Sequence, residues 1–121
     1  MKKRILLIDD EPEFVELITL RLEANQYEVM AASNGQEGFN KALSEKPDLI
    51  FLDIMMPRKN GLELLPQLKQ HEQTRLIPVI MLTAKADTRS MLESQKLGAT
   101  DYLIKPFDSK ELLAVIQRYV P

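Results

Sequence analysis

The chain has 121 residues, a formal net charge of −2 and an apolar fraction of 45%. That is one domain of ordinary size, able to bury roughly two-thirds of its unfolded surface without a disulfide or structural metal. The absence of cysteine removes disulfide and thiolate chemistry, the single His71 excludes multi-histidine metal sites, and no basic run extends past Lys2-Lys3-Arg4, so the footprint of a nucleic-acid binder is missing.

No apolar run approaches the roughly 18 residues of a membrane span, and the four-residue run after Arg4 is short of the about 7–15 that a signal peptide needs. A cytoplasmic protein without membrane insertion is expected.

In chain order, residues 4–8 carry the run Ile5-Leu6-Leu7-Ile8, as in a strand covered on both faces. Pro12 then suits a first helical turn, and Phe14, Val15, Leu17, Ile18 and Leu22 form a broad apolar stripe at helical spacing. Tyr27 to Ala32 predicts a second strand. Asn34 with Glu37 resembles a capping box for a helix lined by Phe39, Ala42 and Leu43 and closed by Pro47. Leu49 to Leu52 predicts a third strand.

Asn60 caps a third helix carrying Leu62, Leu64, Leu65 and Leu68, in which Pro66 predicts a kink or a late start. Pro78 precedes a fourth strand, Val79 to Leu82. A fourth helix opens at Asp87 or Thr88 and stops at Gly98, a left-handed C-terminal position. Tyr102 to Ile104 predicts a fifth strand, and Asp108 with Glu111 a capping box for a last helix with Leu112, Leu113, Ile116 and Tyr119 inward. Such alternation implies an α/β fold, a doubly wound parallel sheet with right-handed crossovers and helices on both faces.

The strand ends carry the chemistry. Asp9 and Asp10 follow the first strand, Asp53 the third, Thr83 the fourth and Lys105 the fifth. Singly, each reads as a cap or a surface charge, Tyr102 as a half-buried strand aromatic, Met55 and Met56 as packing, and His71 as a solvated loop residue. Together, at the carboxyl edge where open α/β sheets bind ligands, they make a site. Three convergent carboxylates repel one another, and a hard cation with oxygen ligands and waters, Mg²⁺, relieves this. With a lysine and a hydroxyl alongside, the set suits phosphoryl transfer, with Asp53 as the attacking oxygen of an acyl phosphate.

The motifs Ile8-Asp9-Asp10-Glu11, Asp53-Ile54-Met55-Met56-Pro57 with Gly61 four residues later, Leu82-Thr83-Ala84, Gly98-Ala99 before Asp101-Tyr102, and Lys105-Pro106-Phe107 stand in register over Arg4 to Tyr119. In this the chain resembles a response-regulator receiver domain of two-component signalling, of the single-domain, chemotaxis-regulator type. The resemblance implies a flavodoxin-like (βα)5 sheet of order 2-1-3-4-5, with residues 1–121 as one receiver domain and no output domain. It implies that Asp53 takes a phosphoryl group from a sensor histidine kinase or histidine phosphotransfer protein.

Further implications of the resemblance concern individual residues. Mg²⁺, with Mn²⁺ as a substitute, is held by Asp10, Asp53 and the backbone carbonyl of Met55, with Asp9 acting through water. A cis Lys105-Pro106 peptide places the lysine. Thr83 and Tyr102 form the switch that alters the face of the fourth helix, fifth strand and fifth helix for a downstream protein. The protein acts on itself alone and is no enzyme, as a monomer or a phosphorylation-dependent dimer. Three departures stand out. Lys59 replaces the more usual apolar residue. Met55 and Lys85 occupy the positions that tune self-dephosphorylation, and predict that it is slow. Thr100 and Val115 replace the acid and arginine of the DNA-binding subclass and its charged dimer interface.

Two other classes compete. One is a receiver-like scaffold that binds its partner without phosphorylation, against which the complete set Asp9, Asp10, Asp53, Thr83 and Lys105 argues. The other is an enzyme or flavin carrier. A haloacid-dehalogenase-type phosphohydrolase wants Asp-x-Asp, which Asp53-Ile54-Met55 lacks, and the acidic loop Asp9-Asp10-Glu11-Pro12 repels a flavin phosphate.

Overall fold

The computed structural model describes residues 2–56, 60–84 and 87–121. Strands β1 (Arg4–Ile8), β2 (Glu28–Ala32), β3 (Leu49–Asp53), β4 (Val79–Ala84) and β5 (Asp101–Lys105) alternate with helices α1 (Pro12–Ala24), α2 (Gly35–Glu45), α3 (Gly61–Gln70), α4 (Thr88–Lys96) and α5 (Ser109–Tyr119). All strand pairs are parallel and the order is β2-β1-β3-β4-β5. Order and class match the expected flavodoxin-like sheet.

Side chains alternate across each strand, so every central strand feeds two cores. Ile5, Leu7, Leu49, Phe51, Ile80, Leu82 and Leu103 pack against Ile18 and Leu22 of α1 and Leu112 and Ile116 of α5. Leu6, Ile8, Ile50, Leu52, Val79 and Met81 pack on the other side against Ala42 of α2 and Leu64, Leu65 and Leu68 of α3. The alternation sorts the strand ends too. Asp53 and Lys105 follow Phe51 and Leu103 on the α1/α5 side, whereas Thr83 follows Met81, the register partner of Tyr102, on the opposite side.

The local signals worked for identifiable reasons. Pro12 is the first residue of α1, whose start has no side-chain cap. Both Asn60/Glu63 and Asp108/Glu111 form full capping boxes. Asn34 caps α2 through the Glu37 amide, but the Glu37 carboxylate accepts from Ser33 N at 2.7 Å, so that box is displaced by one residue. Gly98, with φ 103°, reverses the chain after α4.

Several expectations need correction. Pro66 neither delays nor interrupts α3, which runs unbroken from Gly61 because its box holds the start and Gly61, Leu64, Leu65 and Leu68 bury its inner face. Leu17 is 46% exposed and leaves the α1 stripe, whose buried members are Ile18 and Leu22. The α2 helix is closed by Lys46 in the left-handed region, φ 48°, one residue before Pro47. His71 is no free loop residue, since it ends α3, and its ring meets Phe39 edge-on at 5.7 Å. Met56 is buried as expected, but Met55 is 69% exposed and packs against little. Lys59 and Lys85 lie outside the described residues.

Candidate functional site

Each strand end delivers its group by simple geometry. β3 extends one residue beyond its apolar run and ends on Asp53, which pairs in register with Leu82 of β4. The following chain is held close: Ile54 N donates to Leu82 O at 3.1 Å, and Gly61 N donates to Ile54 O at 3.0 Å. A Cβ on Gly61 would collide with the Asp53 carbonyl oxygen and come within 2.9 Å of Ile54 Cα. Glycine is therefore what lets α3 begin against the end of β3.

Asp9 follows β1 directly, and its backbone N–H donates to Ala32 O at 3.0 Å. One oxygen of Asp9 (Oδ1) accepts from Glu11 N at 3.0 Å, which shapes the loop into α1, and the other accepts from Lys105 Nζ at 2.8 Å. Asp53 Oδ1 accepts from Met55 N at 3.2 Å. Its Oδ2 stands 3.8 Å from Lys105 Nζ, beyond hydrogen-bonding range. Asp10 is half-buried at the rim. One oxygen from each of Asp9, Asp10 and Asp53 lies within 4.8 Å of the others.

Three carboxylates thus face one ammonium, because Lys105 also donates to Glu11 Oε1 at 3.1 Å, and Asp10 adds a fourth acid to the cluster. Burial, followed by the charge of Asp9, pushes the Asp53 carboxyl up to about 7, against the pull of Lys105 and the Met55 amide. Burial draws the Lys105 ammonium down, but its hydrogen bond to Asp9 and the charges of Asp53 and Asp9 outweigh this and hold it above its ordinary value. Such a site favours a small divalent cation. Its donors are hard carboxylate oxygens, mutually repelling, with room for water, and these fit Mg²⁺.

Thr83 is buried at 2% exposure and its hydroxyl donates to Ala84 O at 3.3 Å, so it lies against the backbone at the end of β4. Tyr102 is half-buried against the α2/α3-side core. The Lys105-Pro106 bond is cis. The structure therefore brings Asp9, Asp10, Asp53 and Lys105 together and sets Thr83 and Tyr102 on the adjoining strands.

Two neighbours escaped the sequence reading. Glu11, quoted within a motif but given no task, binds Lys105, and Phe14, assigned to the core, lies with its ring centroid 4.1 Å from the Lys105 ammonium. The Phe14 ring in turn meets Phe107 edge-to-face at 5.8 Å and 87°. Two departures also gain structural reasons. Thr100 Oγ1 accepts from Val79 N at 3.0 Å to start β4, and Val115 is buried in the α1/α5-side core.

Known proteins share this arrangement. The profile of the response regulator receiver domain matches residues 5–117. The alkaline phosphatase synthesis transcriptional regulatory protein PhoP of Bacillus subtilis is 44% identical over 117 residues, 97% of this chain and 48% of that protein. The phosphate regulon transcriptional regulatory protein PhoB of Pseudomonas aeruginosa is 44% identical over 112 residues, covering 93% and 49%. The chain thus spans about half the length of the curated relatives it matches. Among solved structures, the chemotaxis protein CheY4 of Vibrio cholerae superposes with TM-score 0.93 at 30% identity over 99% of this chain and all of that one. The receiver domain of the sensor histidine kinase PA1611 of P. aeruginosa, with a magnesium ion in its active-site cleft, gives 0.91 at 29% identity, 98% of each chain being covered. With the sheet order, the acidic strand ends and the matched profile in agreement, the chain belongs to the response regulator receiver domain family.

Proposed function

We propose that this domain is a phosphorylation-dependent signalling switch whose acceptor is Asp53. The observation that carries the reading is the Asp53 carboxylate itself. It is 5% exposed, flanked by two further acids, and its Oδ2 lies 3.8 Å from the Lys105 ammonium, beyond hydrogen-bonding range. A packing role would have neutralised such a group. The donor is a phosphohistidine of a sensor kinase or phosphotransfer protein. An Asp53 oxygen forms the new P–O bond as the P–N bond of the donor breaks, and the leaving imidazole nitrogen keeps the electron pair.

The chain's own groups divide the work. Asp10, Asp53 and the Met55 carbonyl would hold Mg²⁺, with Asp9 acting through water. The PA1611 receiver, with a magnesium ion in its active-site cleft, supports magnesium as the cation. Bound there, the cation would offset the charge of the carboxylates and of the phosphoryl oxygens. Lys105 moves toward the phosphoryl group from its seat on Asp9 and Glu11, and Thr83 turns its hydroxyl from Ala84 O toward the same group. Thr83 and Tyr102 share the α2/α3 side of neighbouring strands, so movement of one changes the space open to the other. The altered surface is that of α4, β5 and α5. Within it Asp101 is already bonded to Arg118 at 3.0 Å and to the Tyr119 hydroxyl at 2.7 Å, which favours a partner other than a second copy joined by ion pairs.

The test is intact mass after incubation with acetyl phosphate or phosphoramidate, with and without Mg²⁺, on the wild type and Asp53→Asn. A magnesium-dependent gain of one phosphoryl group, absent in the variant and lasting for minutes or more, is expected. No gain under any condition replaces the switch with a constitutive scaffold.

A further inference from the structure

We infer that Phe14 is a positioning residue for Lys105, holding its ammonium beside Asp9, Glu11 and Asp53 through a cation–π contact. The inference rests on the reading of Asp53 as phosphoacceptor and names a residue that this reading leaves unused.

Lys105 has an unusual reach to make. It ends β5, and Asp9 follows β1, three strands away in the order β1-β3-β4-β5. At about 4.8 Å per strand that is roughly 14 Å across the sheet. A twisted sheet and a four-carbon stem cover the distance, but such a stem has many rotamers, and carboxylates on one side restrict it only partly. The far side is closed by an aromatic face. The Phe14 centroid lies 4.1 Å from Nζ, within the roughly 6 Å range of cation–π attraction. The lysine side chain is 20% exposed, so the contact is partly shielded from water, where such contacts are stronger.

The ring is itself held. Phe14 is the third residue of α1, a helix whose start is set by Pro12. Phe107, two residues beyond Lys105, meets the Phe14 ring in a T-shaped contact at 5.8 Å and 87°. The chain segment that carries the lysine therefore also carries the group that orients the ring, and α1 joins the two. A leucine at 14 would fill similar space against Phe107 and the α1/α5-side core, yet would offer the ammonium no negative face.

Wild type, Phe14→Leu and Phe14→Tyr are compared by three measurements. The first is the rate of Mg²⁺-dependent phosphoryl uptake from phosphoramidate. The second is the NMR chemical shift of the Lys105 ε-methylene protons without any phosphodonor. The third is thermal stability. The wild-type protons are expected upfield of other lysines through the ring current. Phe14→Leu should lose that shift and slow uptake about fivefold, the size expected of one half-buried cation–π contact. Phe14→Tyr should restore both to within about twofold. Uptake at the wild-type rate in Phe14→Leu, or rates that follow melting temperature rather than ring character, would overturn the assignment. So would a wild-type ε-methylene signal without the upfield shift. That signal is read on unphosphorylated protein, so it judges the lysine–ring contact even if Asp53 takes no phosphoryl group, an outcome that would instead sink the switch reading.

Discussion

The two edges of the sheet treat charge in opposite ways. At the N-terminal edge, Arg4 opens β1 and its guanidinium binds Glu28 at 2.6 Å, Glu45 Oε2 at 3.0 Å and the Glu45 carbonyl, while its backbone N–H donates to Asp48 at 2.8 Å. Each of these acids accepts a hydrogen bond from Arg4, and the contacts tie β1 to β2, to the last residue of α2 and to the segment between α2 and β3. At the C-terminal edge, Asp9, Glu11 and Asp53 compete for Lys105, and Asp10 adds a further acid. Among the described residues the acids of the first edge are each bonded to Arg4, whereas those of the second crowd a lysine that leaves Asp53 Oδ2 without a hydrogen bond. Surplus negative charge costs stability in the resting protein, and it is the state from which a cation and a phosphoryl group gain most.

Three measurements sharpen or break this contrast. The largest effect is expected from Gly61→Ala. The new methyl would meet the backbone of Asp53 and Ile54, which no rotamer can relieve, so chemical denaturation should show a loss of about 2–3 kcal/mol. Phosphoryl uptake should fall with it. A neutral result would mean that the acidic edge is slack enough to yield, and the idea of a tightly registered acceptor would fail.

Asp53→Asn should come next, with the opposite sign. The native carboxyl titrates at about 7 and the unfolded one at 3.8. Between these values the folded protein holds a proton that the unfolded chain has lost. The contribution of this group is therefore complete below pH 4 and declines as pH rises through 7. The variant should match wild type near pH 4 and exceed it by about 1–2 kcal/mol at pH 8, after allowance for solvent screening in an open cleft. Melting curves across that range without Mg²⁺ decide it. Equal stability at pH 8 would show that the acid surplus is already relieved.

Arg4→Met should have the smallest effect, a slight fall in melting temperature that shrinks at high salt, because its partners are largely exposed. A loss as large as that of Gly61→Ala would make the Arg4 edge, and not the acidic one, the more constrained of the two.

What could be read in the chain depended on distance along it. Strand ends, capping boxes at Asn60 and Asp108, and the glycine stop at 98 are local, and their residues sit within a few positions of one another. The convergence of Asp9, Asp10 and Asp53 was legible because a parallel sheet gathers all its carboxyl ends on one edge. The contacts of Lys105 with Glu11 and Phe14 were not, since they join residues 94 and 91 positions apart through the rotamer of a long side chain. Periodicity placed Phe14 on the inner face of α1, correctly, but cannot tell a ring that meets aliphatic groups from one that also meets an ammonium. Met55 failed for a related reason: an apolar residue after a buried strand reads as core, yet the turn carries it outward while its backbone serves Asp53. The tolerance of α3 for Pro66 likewise depends on a helix face buried from both sides of the proline in sequence.

The strand order has one more consequence, for how the protein behaves beside copies of itself. β2 and β5 are the outer strands, and each exposes one row of backbone donors and acceptors to which another chain could add. Each is five residues long and begins with a carboxylate, Glu28 or Asp101, and β5 ends on a lysine. Brief, charged borders of this kind are poor templates for a sixth strand. The continuous apolar strands, β1 and β3, lie shielded in the interior, so the segments most prone to cross-β stacking are those that a neighbouring molecule meets only after the fold is lost.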